Sequence, residues 1–317
     1  VNGSYPGTVL RSSLLLRRAA LVSLVLNCLL VVTGGAVRLT GSGMGCPTWP
    51  RCVDSSYVAT SPLGIHGLIE AGNRQFSGAV GVFMAVVLVL ALLQRPRDPR
   101  QVRWAAAAFA GIPAQAVLGG ITVLTDLNPW VVACHFLASM AVIVAAYRLW
   151  LATGEPGGAV EPLLGAPLRA LNTVLLAVTG VVLVVGTVVT GSGPHAGDVH
   201  SHRTGLDPAM IAQLHADLVM LLIGLSVAWY FALRAVDAPR AARRAALGLL
   251  AVELAQGAIG FVQYFTGLPV VLVGAHLAGA CAVWLAALWT QTTIRVRRPE
   301  PVAAGAPATE MVGSAAG

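Results

Sequence analysis

Eight runs of about 20 or more apolar residues dominate this chain, at approximately 16–38, 64–93, 104–124, 129–150, 169–191, 209–234, 245–266 and 270–293. An α-helix rises about 1.5 Å per residue, so about 20 residues cross a hydrocarbon layer roughly 30 Å thick. No water reaches the backbone inside that layer, so each crossing must satisfy its own N–H and C=O groups as a helix. The expected fold class is an all-α membrane protein with eight transmembrane helices. Charged residues are only 10% of the chain, against about 25% in soluble domains. That excludes a soluble globular protein. The first run has no signal-peptide cleavage site and is followed by seven more, so it reads as a helix.

The net charge of +7 is carried entirely by arginine, because the chain contains no lysine. Sixteen of the 20 basic residues fall in alternate segments: Arg11, Arg17 and Arg18; Arg95, Arg97, Arg100 and Arg103; Arg148 and Arg169; Arg234, Arg240, Arg243 and Arg244; Arg295, Arg297 and Arg298. The positive-inside rule therefore expects both termini in the cytoplasm of a multi-pass plasma-membrane protein. The charge reports topology and gives no reason to expect a nucleic-acid partner. Cys46 and Cys52 then lie in the first outer segment, where oxidising surroundings make a disulfide the expectation. Such a bridge can be a static staple over the loop or a redox-active pair. Cys28, Cys134 and Cys281 lie in or near apolar spans and read as packing residues.

The chain is also written twice. Ala114-Gln115, Leu118-Gly119, Thr125-Asp126-Leu127 and His135 return 141 positions later as Ala255-Gln256, Ile259-Gly260, Thr266-Gly267-Leu268 and His276. Thr40-Gly41-Ser42-Gly43 returns as Thr190-Gly191-Ser192-Gly193, and Ile69 to Asn73 aligns with Ile211 to His215. The expectation is two pseudo-symmetric four-helix bundles, 16–150 and 169–295, with a cytoplasmic segment 1–15, a linker 151–168 and a disordered tail 296–317. Each half presents candidate ligands on its second and fourth helices: His215 and His276 in one, Asn73 and His135 in the other. Two neutral imidazoles facing across a bundle suit a bis-histidine haem iron.

Glu70 is a carboxylate inside a span, an expensive placement usually kept for chemistry or pairing. His66, Glu70 and Asn73 share one helix face, and Arg74 stands four residues beyond Glu70, so an ion pair competes with a role facing substrate. Arg38 and Arg74 are candidates to meet anionic groups such as haem propionates, or to anchor helix ends. His195, His200 and His202 occupy an outer loop, where solvated side chains are the simpler reading and a metal site the weaker one. Asp217 and Glu253 are further carboxylates within spans.

The segment from Gly34 to Cys52, the run Ile69-Glu70-Ala71-Gly72-Asn73-Arg74 and the two Gln…Gly…His blocks resemble the haem A synthase family across nearly all of residues 14–295. The resemblance implies oxidation of the C8 methyl of haem O, by successive hydroxylation, to the formyl of haem A for cytochrome c oxidase assembly. It implies a haem b cofactor on His215 and His276. It also implies haem O as substrate in the N-terminal half, with His135 as iron ligand and Glu70 as catalytic carboxylate. Haem O synthase, cytochrome oxidase assembly factors and membrane lipids would be its partners, and a homo-oligomer is compatible with it. The family's Glu-x-x-His-Arg motif carries Asn73 at the histidine, which leaves His135 as the obvious axial ligand, with His66 a candidate substitute. A second cysteine pair found in many members is missing from the third outer segment. The competing readings are a b-type cytochrome fed by quinol and a haem-handling chaperone or transporter.

Overall fold

The computed structural model describes residues 6–299. Eight long helices follow one another: α1 (Pro6–Leu39), α2 (Gly64–Leu93), α3 (Pro99–Leu124), α4 (Pro129–Ala152), α5 (Ala166–Ser192), α6 (Pro208–Ala235), α7 (Arg240–Phe265) and α8 (Val270–Thr293). All eight are long and apolar enough to span a bilayer. The protein is an all-α, multi-pass membrane protein. Helix starts follow local chemistry: Pro99, Pro129 and Pro208 stand at first helical positions, where the missing N–H has no intrahelical partner to lose. The side chains of Asp98, Asn128 and Asp207 accept the free N–H groups that follow.

The packing neighbours form two closed rings. α1 packs on α2 and α4, and α3 lies between α2 and α4; α5 packs on α6 and α8, and α7 lies between α6 and α8. The rings meet where α1 touches α8 and α4 touches both α5 and α8. That seam is an apolar core of Leu24, Val31, Met140, Ile143, Ala146, Leu183, Cys281 and Leu288. It also carries two polar ties, Trp284 Nε1–H to the Met140 carbonyl (3.2 Å) and Tyr147 to Thr292 (3.2 Å).

The two repeat turns share one backbone solution. Asp126 and Leu127 after α3, and Gly267 and Leu268 after α7, all have positive φ. The N–H of Leu127 returns to the Thr122 carbonyl, as that of Leu268 does to Gln263. This left-handed reversal starts α4 and α8 at equivalent points, so His135 and His276 fall at equivalent depths.

One expectation needs correcting. Arg295–Arg297 form a strand, β2, paired antiparallel with β1 (Val160–Pro162), where a disordered tail was expected from residue 296. Glu155 accepts from both Arg295 (2.9 Å) and Arg297 (3.1 Å), so the pairing is electrostatic as well as backbone-mediated. The rest of that expected tail, 300–317, lies outside the described residues, as do residues 1–5 of the expected N-terminal segment.

Candidate functional site

α6 and α8 stand diagonally in their ring and do not pack on each other, yet His215 and His276 meet across the gap. Their ring centroids are 6.4 Å apart and their planes 70° apart. Imidazole nitrogens bind metals at about 2.0–2.1 Å, so two rings on opposite faces of one iron have centres roughly 6–6.5 Å apart. The spacing fits a single axially held metal. Both rings are half-buried, and each Nδ1 is buried without a hydrogen-bond partner.

Glycines make the room. A Cβ at Gly186 would stand 3.2 Å from His215 Cε1, and one at Gly260 3.3 Å from His276 Cε1. Gly119, the repeat equivalent of Gly260, abuts His135 Cε1 in the same way (3.3 Å). The repeat sets Ala36 against Gly186. The half with a ring at the α6 position thus carries the glycine, and the half with Asn73 carries a methyl. Gly186 received no role from the sequence reading, although the aligned pairs Gly186/Ala36 and His215/Asn73 change together.

The backbone of each histidine on the fourth helix is also held. Gln256 Nε2 donates to the His276 carbonyl (2.7 Å). In the other half Gln115 reaches the same carbonyl by relay, donating to Ser139 Oγ (2.8 Å), which donates to the His135 carbonyl (3.1 Å). Direct contact works beside Gly279, where any Cβ would collide with the Gln256 amide. The aligned residue is Ala138, and a hydroxyl at 139 bridges the longer gap. Both glutamines were visible as repeat landmarks, but their hydrogen bonds were not.

The N-terminal site has a different furnishing. His135 is half-buried with an unpartnered Nδ1, and Asn73 is half-buried with an unpartnered Oδ1. Over α2 lies the loop that joins α1 to α2, closed by the Cys46–Cys52 disulfide with both cysteines fully buried. Trp49 packs so tightly on α3 that a Cβ at Gly120 would enter its ring.

Glu70 belongs to that loop's attachment. Its Oε2 accepts from the Cys46 N–H (2.7 Å) and its Oε1 from Arg74, whose Nε stands 3.1 Å away. Arg74 also donates to the carbonyls of Thr48 (2.9 Å) and Cys46 (3.1 Å). The i,i+4 ion pair is therefore one end of a clasp holding the disulfide loop on α2. His66 is exposed and its Nδ1 bonds Ser42 Oγ (3.0 Å).

Arg38 joins the two halves. Its Nε–H donates to the His195 carbonyl (2.6 Å) and its Nη2 to the Thr190 carbonyl (3.0 Å). His195 in turn bonds the Leu268 carbonyl (2.9 Å), while His200 and His202 are exposed. Among the described residues, no three His, Cys, Asp or Glu side chains gather to hold a metal ion. Of the two further carboxylates that the sequence places within spans, Asp217 accepts from Gln213 (2.7 Å), and buried Glu253 accepts from Ser226 Oγ (2.8 Å).

Comparison with known proteins places this architecture. The profile of a family described as cytochrome oxidase assembly protein, COX15-CtaA, matches residues 17–65 and 65–197. A protein of Geobacillus thermodenitrificans named "Heme A synthase" is 29% identical over 154 residues, 46% of this chain and 48% of the relative. One of the same name from Geobacillus kaustophilus is 27% identical over 129 residues, 40% of each chain. Another from Bacillus cereus is 32% identical over 117 residues, 36% of this chain and 37% of that one. The chain thus spans about half, or less, of the length of the curated relatives it matches. With the profile covering more than half of its residues, this chain belongs to the COX15-CtaA cytochrome oxidase assembly protein family.

Proposed function

We propose that this protein is a haem A synthase, which oxidises the C8 methyl of haem O to a formyl group in the plasma membrane, with both termini cytoplasmic. Haem O synthase would supply the substrate, and cytochrome c oxidase assembly would consume the product. The observation that carries the reading is the unequal filling of two matching sites. One has two imidazoles 6.4 Å apart, suited to a permanently held cofactor. The other has His135 alone, with Asn73 at the repeat position of the second histidine and each with an unpartnered buried polar atom, suited to an exchangeable substrate haem held from one side.

His215 and His276 would hold haem b, which supplies one-electron redox chemistry at its iron. The protein's own contribution is position. Gln256 fixes the His276 backbone, and Gly186 and Gly260 set how closely the rings approach α5 and α7. In the N-terminal half His135 would ligate substrate iron, and the clasped loop would shield that end of the bundle from water.

Glu70 is proposed as the carboxylate serving the oxidation. Turning a methyl into a formyl with oxygen from water (CH3 + H2O → CHO + 4 H+ + 4 e−) releases four protons to solvent and four electrons to an external electron acceptor, through an electron-poor carbon that a nearby negative charge stabilises. Both Glu70 oxygens already accept hydrogen bonds, which favours this electrostatic role over proton abstraction. Arg38 is engaged by backbone carbonyls, so a propionate would have to share it.

Expression in a cell that makes haem O but no haem A, followed by haem extraction, tests the function. Haem A or a hydroxylated haem O is expected. Recovery of haem O alone, from protein carrying its haem b, would overturn the proposal in favour of a cytochrome or a haem carrier.

A further inference from the structure

At the α6–α7 end of the molecule a concavity of about 220 Å³ is lined by Tyr230, Arg234, Arg240, Arg243, Arg244 and Leu247. No carboxylate lines it. Among the described residues none of these four arginine side chains donates a hydrogen bond or enters an ion pair. Asp237, in the connecting turn, pairs with none of them.

The equivalent hairpin of the other half provides an internal comparison. α2–α3 also carries four arginines, and all are engaged. Arg95 and Arg97 donate to backbone carbonyls, including that of Leu92. Arg100 pairs with Asp98 (2.7 Å), and Arg103 lies over the Trp104 ring at 5.3 Å. The positive-inside rule explains four arginines at each hairpin, but not why one set is engaged within the protein and the other lines a concavity.

Guanidinium groups gathered without counter-charge repel one another unless an anion sits among them, and their planar forks match phosphate oxygens. The concavity lies at the ends of two membrane-crossing helices, where headgroup phosphates are found. Its flank is apolar and exposed: Leu247 is 46% exposed, and Phe231, 61% exposed, packs beside Tyr230 with ring centroids 5.6 Å apart. We propose that this concavity binds the phosphate headgroup of an anionic phospholipid, with the acyl chains lying along Leu247 and Phe231.

The test uses the full chain in a neutral detergent, titrated separately with phosphatidylglycerol, phosphatidylcholine and inorganic phosphate, with binding read by native mass spectrometry. Saturable binding of phosphatidylglycerol, and none of phosphatidylcholine, is expected. Arg243→Gln with Arg244→Gln should weaken it about tenfold to thirtyfold, and Arg95→Gln with Arg97→Gln, an equal loss of charge at the other hairpin, by less than about threefold. Equal losses in the two double variants would reduce the effect to general surface charge and overturn the site. Binding of phosphatidylcholine as tight as that of phosphatidylglycerol would also overturn it. Inorganic phosphate binding as tightly as the lipid would assign the pocket to a soluble anion instead.

Discussion

Gly186 and Gly260 are the residues on which the His215–His276 geometry is most sensitive, because each ring already lies within 3.3 Å of where a Cβ would stand. Gly186→Leu should push the His215 ring out of line and convert a six-coordinate, low-spin haem b spectrum towards a high-spin one, with the polypeptide still expressed. Removing either imidazole should be more severe. His215→Ala or His276→Ala is expected to lower bound haem b at least about tenfold, a loss of roughly 1.4 kcal/mol or more, measured by pyridine haemochrome content. A double variant with an unchanged low-spin spectrum would show that these residues are not the ligands. At Glu70, Gln keeps the shape and one acceptor for the Cys46 N–H but removes the charge. Glu70→Gln should therefore retain the Cys46–Cys52 loop and bound haem O, yet accumulate haem O or a hydroxylated intermediate. Haem A formation at the parental rate would leave Glu70 as the partner of Arg74 and nothing more.

At the scale of elements, the repeat turns differ informatively. Asp126 holds φ 50°, where its counterpart is Gly267 at 77°. A side chain in the left-handed region costs about 1–2 kcal/mol, less for Asp than for most residues, and Asp126 is exposed. Asp126→Gly should thus leave thermal stability unchanged or raise it by up to about 1 kcal/mol, whereas a β-branched Asp126→Val should lower it; a stabilised Val variant would contradict the turn geometry. The disulfide loop is a second such element. Cross-linking so short a loop restricts the unfolded chain by about 2 kcal/mol in the entropy view. Cys46→Ser with Cys52→Ser should therefore loosen the loop and increase its proteolysis while leaving haem b on the C-terminal half. Loss of haem b in that variant would mean that the halves are more strongly coupled than their apolar seam suggests.

For the whole molecule, even helix number and alternating arginines place residues 98, 158 and 240 on one face. Reporter fusions after each should read cytoplasmic, and a single external reading would overturn the orientation. The helix count was legible because a buried-in-lipid backbone forces long apolar runs, and the repeat was legible because it keeps its register through His135 and His276. The β1–β2 pairing was not. Three-residue strands carry little pattern, and Val160–Pro162 meets Arg295–Arg297 only because α4 and α8 end side by side.

The sequence alone determined the number of membrane crossings and the duplication, since each follows from local composition or from spacing along the chain. Tertiary structure decided what the polar side chains meet. Glu70 and Arg74 turn to the Cys46–Cys52 loop, Arg38 to the carbonyls of Thr190 and His195, and Gln256 to the His276 backbone. Most buried donors and acceptors find a partner. The Glu70–Arg74 pair could be read from its i,i+4 spacing, but the contacts to the Cys46 backbone, to the His276 carbonyl and from Arg38 to residues 190 and 195 arise only once separate segments are packed together.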